Sequence, residues 1–104
     1  MKRIEHLGIA VESLETAIPL YETLLNTPCY KQEAVASEGV RTAFFQVGES
    51  KIELLEASKP DSPIAKFVAK NGPGFHHVAF EVAEHQRRTI FLRQPAQLLV
   101  QGRS

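Results

Sequence analysis

Three side chains in this sequence have the types and spacing to do chemistry together: His6, Glu53 and His77. The two histidines open a repeated hexapeptide. His6-Leu7-Gly8-Ile9-Ala10-Val11 recurs as His77-Val78-Ala79-Phe80-Glu81-Val82, at an offset of 71 residues. Each copy runs histidine, apolar, small, bulky apolar, variable, valine. Side chains alternate between the two faces of a strand. Leu7, Ile9 and Val11 therefore make a bulky core face, opposite His6, Gly8 and Ala10. Val78, Phe80 and Val82 oppose His77, Ala79 and Glu81 in the same way. Glu53 shares that phase, opposite Ile52 and Leu54. Two imidazoles and a carboxylate with open positions suit a catalytic divalent metal such as zinc, cobalt, manganese or nickel. Taken singly, a strand histidine is more often a surface or packing residue, and Glu53 a solvated carboxylate. The matched phase in a repeated hexapeptide is what joins them. His76, one residue before His77, is expected on the opposite face, in a structural or at most a supporting role.

The elements that must hold these residues follow from periodicity and punctuation. Ile4 to Val11 alternates as a strand. Small residues beside His6 leave room above it. Ser13 is an N-cap for a helix from Leu14 to Leu25. That helix groups Leu14, Ala17, Ile18, Tyr21, Leu24 and Leu25 on one face. Pro19 falls inside it and should bend it or delay its start. Asn26-Thr27-Pro28 ends it. Cys29 to Ala36 is a strand with charged Lys31 and Glu33. Ser37-Glu38-Gly39 is a turn. Val40 to Val47 and Lys51 to Glu56 form a hairpin around Gly48-Glu49-Ser50. Ser62 caps, and Pro63 begins, a short helix with Ile64, Phe67 and Val68 as its apolar face. Asn71-Gly72 stops it, and the repeated strand follows. The order is β-α-β-β-β, helix, β, an α+β class. It divides into a first βαβββ module (1–58), a linker with a short helix (59–74), and the first strand of a second, incomplete module with a divergent tail (75–104).

Composition bounds the partners. With 104 residues, 43% hydrophobic and 23% charged, this is one soluble globular domain at most. Formal net charge is zero, so nothing suggests nucleic acid. No apolar run is long enough to span a bilayer, and no signal peptide is evident. The single cysteine, Cys29, excludes an intrachain disulfide and fits a reducing cytoplasm. The zero charge conceals an asymmetry. Residues 1–84 hold 8 basic and 12 acidic side chains, while the tail holds Arg87, Arg88, Arg93 and Arg103 and no acid.

Several stretches carry a family resemblance. They are I-E-H-L-G-I-A-V, E-G-V-R-T-A-F-F-Q-V-G-E-S-K-I-E-L-L-E, D-S-P-I-A-K-F and G-F-H-H-V-A-F-E-V, covering nearly all of residues 2–83. They resemble the vicinal oxygen chelate (glyoxalase/bleomycin resistance) superfamily, which pairs βαβββ modules, and within it the methylmalonyl-CoA epimerases. The resemblance implies a metal held by His6, Glu53 and His77, with a fourth, glutamate ligand on the last strand of the second module. It implies epimerisation of an acyl-CoA thioester: a proton is removed alpha to the thioester, the enolate is stabilised by the metal, and a proton returns from the other face. Where some relatives carry a catalytic carboxylate, this chain has Thr42, which is no base at neutral pH. Glu38 is nearby but takes no assigned role, so the catalytic base is unknown.

The tail departs from the pattern. Nothing in residues 84–104 matches the family motifs, and no acidic residue follows Glu84. Such an abrupt change is what a shifted or truncated reading frame would give. Ile90-Phe91-Leu92 and Leu98-Leu99-Val100 could each make one short strand or helix. The strand at 75–83 is expected to lack sheet partners, and an exposed edge of that kind invites pairing with another chain. A homodimer or strand-exchanged oligomer is the expected assembly. The alternatives to an epimerase are a glyoxalase I-type lactoylglutathione lyase, a metal-free binding module, and an inactive fragment.

Overall fold

A single seven-stranded sheet in the order β2-β3-β4-β1-β5-β6-β7 carries the chain. The computed structural model describes residues 2–93 and 97–103. Its elements are β1 (Arg3–Ala10), α1 (Leu14–Leu25), β2 (Lys31–Val35), β3 (Val40–Val47), β4 (Ser50–Ala57), α2 (Pro63–Asn71), β5 (Gly74–Ala83), β6 (Gln86–Arg93) and β7 (Gln97–Arg103). A single 3-10 turn, Ala36–Glu38, joins β2 to β3. The α+β reading holds, and the first five long elements are the expected βαβββ module.

β1 lies at the centre. It runs parallel to β4 and antiparallel to β5. A parallel neighbour needs a long crossover, which α1, β2 and β3 supply. Both helices start where capping chemistry allows. Ser13 Oγ accepts from the Thr16 amide at 3.4 Å, and Ser62 Oγ from the Ala65 amide at 3.1 Å. Asn26 closes α1 in the left-handed conformation. Pro19 sits inside α1, which runs unbroken from Leu14 to Leu25. The expected hairpin tightens by a residue, since Ser50 pairs with Val47 across Gly48-Glu49.

One face of the sheet packs on α1. Ile9, Val11, Leu14, Ala17, Ala43, Phe45 and Leu54 are buried there. Leu24, expected on the same helical face, lies at the margin of the stripe and is 67% exposed. The opposite face, the side expected for His6, Glu53 and His77, is also partly filled. α2 crosses one end of it and buries Ile64 against Ala10, Val40 and Leu55. Apolar Leu55 shares its strand face with Glu53, so this face is part core and part site.

The tail also differs from expectation. β5 does not lack partners: β6 pairs with it antiparallel from His77↔Phe91 to Ala83↔Gln86, and β7 pairs with β6. The apolar clusters at 90–92 and 98–100 both become strand, Ile90 opposite Val100 and Leu92 opposite Leu98. Glu84 and His85 turn the chain between β5 and β6, His85 at φ 61°. The open edges of the sheet are therefore β2 and β7.

Candidate metal centre

Two irregularities in the β1–β5 ladder shape the site. Ile4 pairs with Phe80 and His6 with Ala79, so Glu5 is an extra residue on β1. Gly8 pairs with His77 and Ile9 with Phe75, so His76 is an extra residue on β5. A bulge re-aims side chains that alternation would send to the other face. Glu5 and His76 thereby join His6, Glu53 and His77 on the α2 side of the sheet.

His6, Glu53 and His77 converge as expected. Nε2 of His6 lies 2.9 Å from Nε2 of His77. Oε1 of Glu53 lies 3.6 Å from the first and 3.5 Å from the second. All three side chains are largely shielded from solvent. Atoms about 2.1 Å from a shared ion stand about 3.0 Å apart in octahedral and about 3.4 Å apart in tetrahedral coordination. The observed triangle has edges of that size, and these residues could hold one divalent ion.

Glycine is required beside this triangle. His77 lies over Gly8, and a Cβ there would sit 2.1 Å from His77 Cε1 and 2.4 Å from its Nδ1. The small residue expected to leave room for His6 in fact leaves room for the second histidine.

Around the triangle stands a second set of groups. Glu5 Oε1 lies 2.5 Å from His6 Nδ1. A carboxylate can only accept, so a neutral His6 carries its proton on Nδ1 and leaves Nε2 bare. Lys51 Nζ is 3.5 Å from Glu5 Oε2, and the Arg87 guanidinium nitrogen Nη1 is 3.4 Å from Oε1. Burial alone would raise the Glu5 pKa. The His6 hydrogen bond, the charges of His6 and Lys51, and the Arg87 contact outweigh it and hold the carboxyl below its usual value.

His76 corrects an expectation. It does not point to the opposite face but lies with Nδ1 2.9 Å from Nδ1 of His77. Its ring meets Phe67 of α2 and Phe91 of β6 edge-on, with centroids 4.9 and 5.5 Å away. Burial, with His77 beside it, lowers its pKa to about 4 and keeps it neutral; Glu53 opposes the shift. Phe91 also packs 5.6 Å from the His77 ring. Sequence reasoning missed Glu5, Arg87 and Phe91. Alternation put Glu5 on the wrong face, and no periodic signal marks a bulge. Thr42 is buried, and its hydroxyl has no hydrogen-bond partner among the described residues. Glu38 stays exposed on the 3-10 turn.

The fold and the cluster define a class: a βαβββ sheet with a His-Glu-His triangle on the face opposite its long helix. The chain belongs to the Glyoxalase/Bleomycin resistance protein/Dioxygenase superfamily, whose family model matches residues 5–94. That match runs through β6, so the likeness does not stop at Val82 as the motifs alone suggest. Among individual relatives, the uncharacterised protein YqjC of Bacillus subtilis is 45% identical over 80 residues, covering 77% of this chain and 57% of its own length. The human mitochondrial methylmalonyl-CoA epimerase is 38% identical over 81 residues, covering 77% of this chain and 46% of its own. The chain thus spans about half the length of the curated relatives it matches. The crystal structure of hypothetical protein BH1468 from Bacillus halodurans superposes with TM-score 0.72 at 32% identity, covering 86% of this chain and 83% of that one.

Proposed function

We propose that this chain serves a metal-dependent epimerase of methylmalonyl-CoA. The observation that carries the reading is the convergence of His6 Nε2, His77 Nε2 and Glu53 Oε1 within 3.6 Å, in a chain whose relatives include proteins named methylmalonyl-CoA epimerase. Donor chemistry fits a cation. With the His6 proton held by Glu5, a bare nitrogen and a carboxylate oxygen face one point, and His77 adds a second nitrogen. Borderline nitrogen donors with one oxygen suit zinc, cobalt, manganese or nickel. When bound, a divalent ion is a Lewis acid that stabilises the oxyanion formed as the proton alpha to a thioester leaves. The residues of the chain do the rest: His6, Glu53 and His77 hold the ion, and Gly8 admits the His77 ring. Phe91 and α2 shield the cluster from bulk water. Thr42 does not serve as the base, because a buried hydroxyl does not accept a proton at neutral pH.

The reading extends to an acyl-CoA thioester as substrate and a cytoplasmic setting, the latter supported by the single unpaired Cys29. It also extends to homodimers formed through an open sheet edge, β2 or β7. No helix among the described residues is long and apolar enough to cross a membrane.

The test is proton exchange. Metal-loaded protein is incubated with methylmalonyl-CoA in deuterated water, and deuterium at the alpha carbon is followed by mass spectrometry. Exchange above the rate in buffer, lost in His6→Ala and His77→Ala, is the expected result. Stoichiometric metal with no exchange overturns the epimerase reading. A glutathione hemithioacetal run in parallel separates it from a lyase.

A further inference from the structure

Neither Glu5 nor His76 belongs to the triangle, yet each is delivered to it by its own β-bulge. Each touches the Nδ1 of one triangle histidine, at 2.5 and 2.9 Å. That symmetry has a chemical meaning. An imidazole offers one nitrogen to an ion only if its proton is on the other. Free imidazole side chains in water favour the proton on Nε2, the wrong atom for this triangle. We propose that Glu5 and His76 are positioning residues. Glu5 accepts the Nδ1 proton of His6, and His76 Nδ1 accepts the Nδ1 proton of His77, which turns both Nε2 atoms onto one point.

The surroundings support these roles. Glu5 is fixed from two sides by Lys51 of β4 and Arg87 of β6. His76 is gripped edge-on between Phe67 and Phe91. Three elements, β4, α2 and β6, therefore hold the two acceptors. β6 in particular is part of the site, through Arg87 and Phe91. The inference rests on the ligand roles assigned to His6 and His77 under Proposed function, but not on the identity of the substrate.

Two readouts test it without measuring turnover. Nitrogen–proton correlation spectra of the imidazoles in metal-free protein, at mildly alkaline pH, give the His6 tautomer. Zinc titration by calorimetry gives affinity. In the unmodified protein His6 is expected as the Nδ1–H form. In Glu5→Ala it should shift to Nε2–H, and zinc should bind about 10–100-fold more weakly. Glu5→Gln keeps an acceptor oxygen in place and should restore the Nδ1–H form with part of the affinity. His76→Phe keeps an edge-on ring but no acceptor and should also weaken zinc by about tenfold or more, and His76→Gln should recover part of that loss. A purely structural role would lower thermal stability without moving the tautomer or being rescued by Gln. An Nε2–H form of His6 in the unmodified protein, or wild-type zinc affinity in both Glu5→Ala and His76→Phe, overturns the proposal. Zinc binding that obeys these rules without any alpha-proton exchange removes only the epimerase reading. An unmodified protein that takes up no zinc removes the ligand roles, and this proposal with them.

Discussion

A methyl group at position 8 is the smallest change that should dismantle the site. Gly8 lies in the middle of β1, where alanine would otherwise be favoured over glycine by about 0.5–1 kcal/mol. In this structure the added Cβ would meet the His77 ring at 2.1 Å. Carbon atoms come to rest about 3.5–4.0 Å apart, so the ring must retreat by about 1.5 Å. His77 cannot retreat freely, because His76 and Phe91 back its ring. Overpacking of this kind costs about 1–3 kcal/mol, against which the strand preference is small. A net loss of about 1–2 kcal/mol follows, and a 1.5 Å shift takes His77 Nε2 out of bonding range of a shared ion. Misplacements near 1 Å cost about 100-fold in activity where geometry is demanding, and zinc affinity should fall by a similar factor. The assay pairs zinc calorimetry with urea unfolding of Gly8→Ala, His77→Ala and the double variant. The cause is steric, so Gly8→Ala should cost little or nothing once His77 is alanine, giving a coupling of at least about 1 kcal/mol. Additive losses, or wild-type zinc affinity in Gly8→Ala, would refute the reasoning.

Two further outcomes follow from the same structure. Leu54→Ala removes a side chain with no solvent exposure from between α1 and the sheet and should cost about 2–5 kcal/mol in urea unfolding. His76, with its pKa lowered from the usual 6.5 to about 4, binds its proton less readily folded than unfolded. The stability of the metal-free protein should therefore be full above about pH 6.5 and fall as pH drops toward 4. Urea midpoints across that range should show the slope, and His76→Phe should flatten it.

The parts of this fold legible in the sequence are those that obey a period. Val40–Val47 alternates cleanly and is a strand over those same residues. The phase of His6, Glu53 and His77 survived folding because each sits in a strand whose opposite face is apolar. Serine before a helical stripe marked both N-caps. The misreadings have local physical causes. Glu5 and His76 are the extra residues of bulges, and each inserted residue shifts the alternation of its strand by one, so that Ile4 pairs with Phe80 while His6 pairs with Ala79. The packing of Leu55 under α2, on the same face of β4 as Glu53, carried no periodic signal. The strands at 86–93 and 97–103 hid behind a composition shift, because basic and glutamine-rich residues say little about whether a hairpin can extend an existing sheet.

β1 makes its two long ladders with segments far away in the chain, and the triangle spans the seam between them. His6 and His77 are 71 residues apart in sequence. Pairings of such separation close slowly, since the intervening chain must lose its freedom before the contact gives anything back. The site therefore cannot assemble on a fragment or an early hairpin. It comes into being only when β1 has β4 on one side and β5 on the other. A coloured ion such as cobalt, added during refolding, would then report the joining of β4 and β5 through β1.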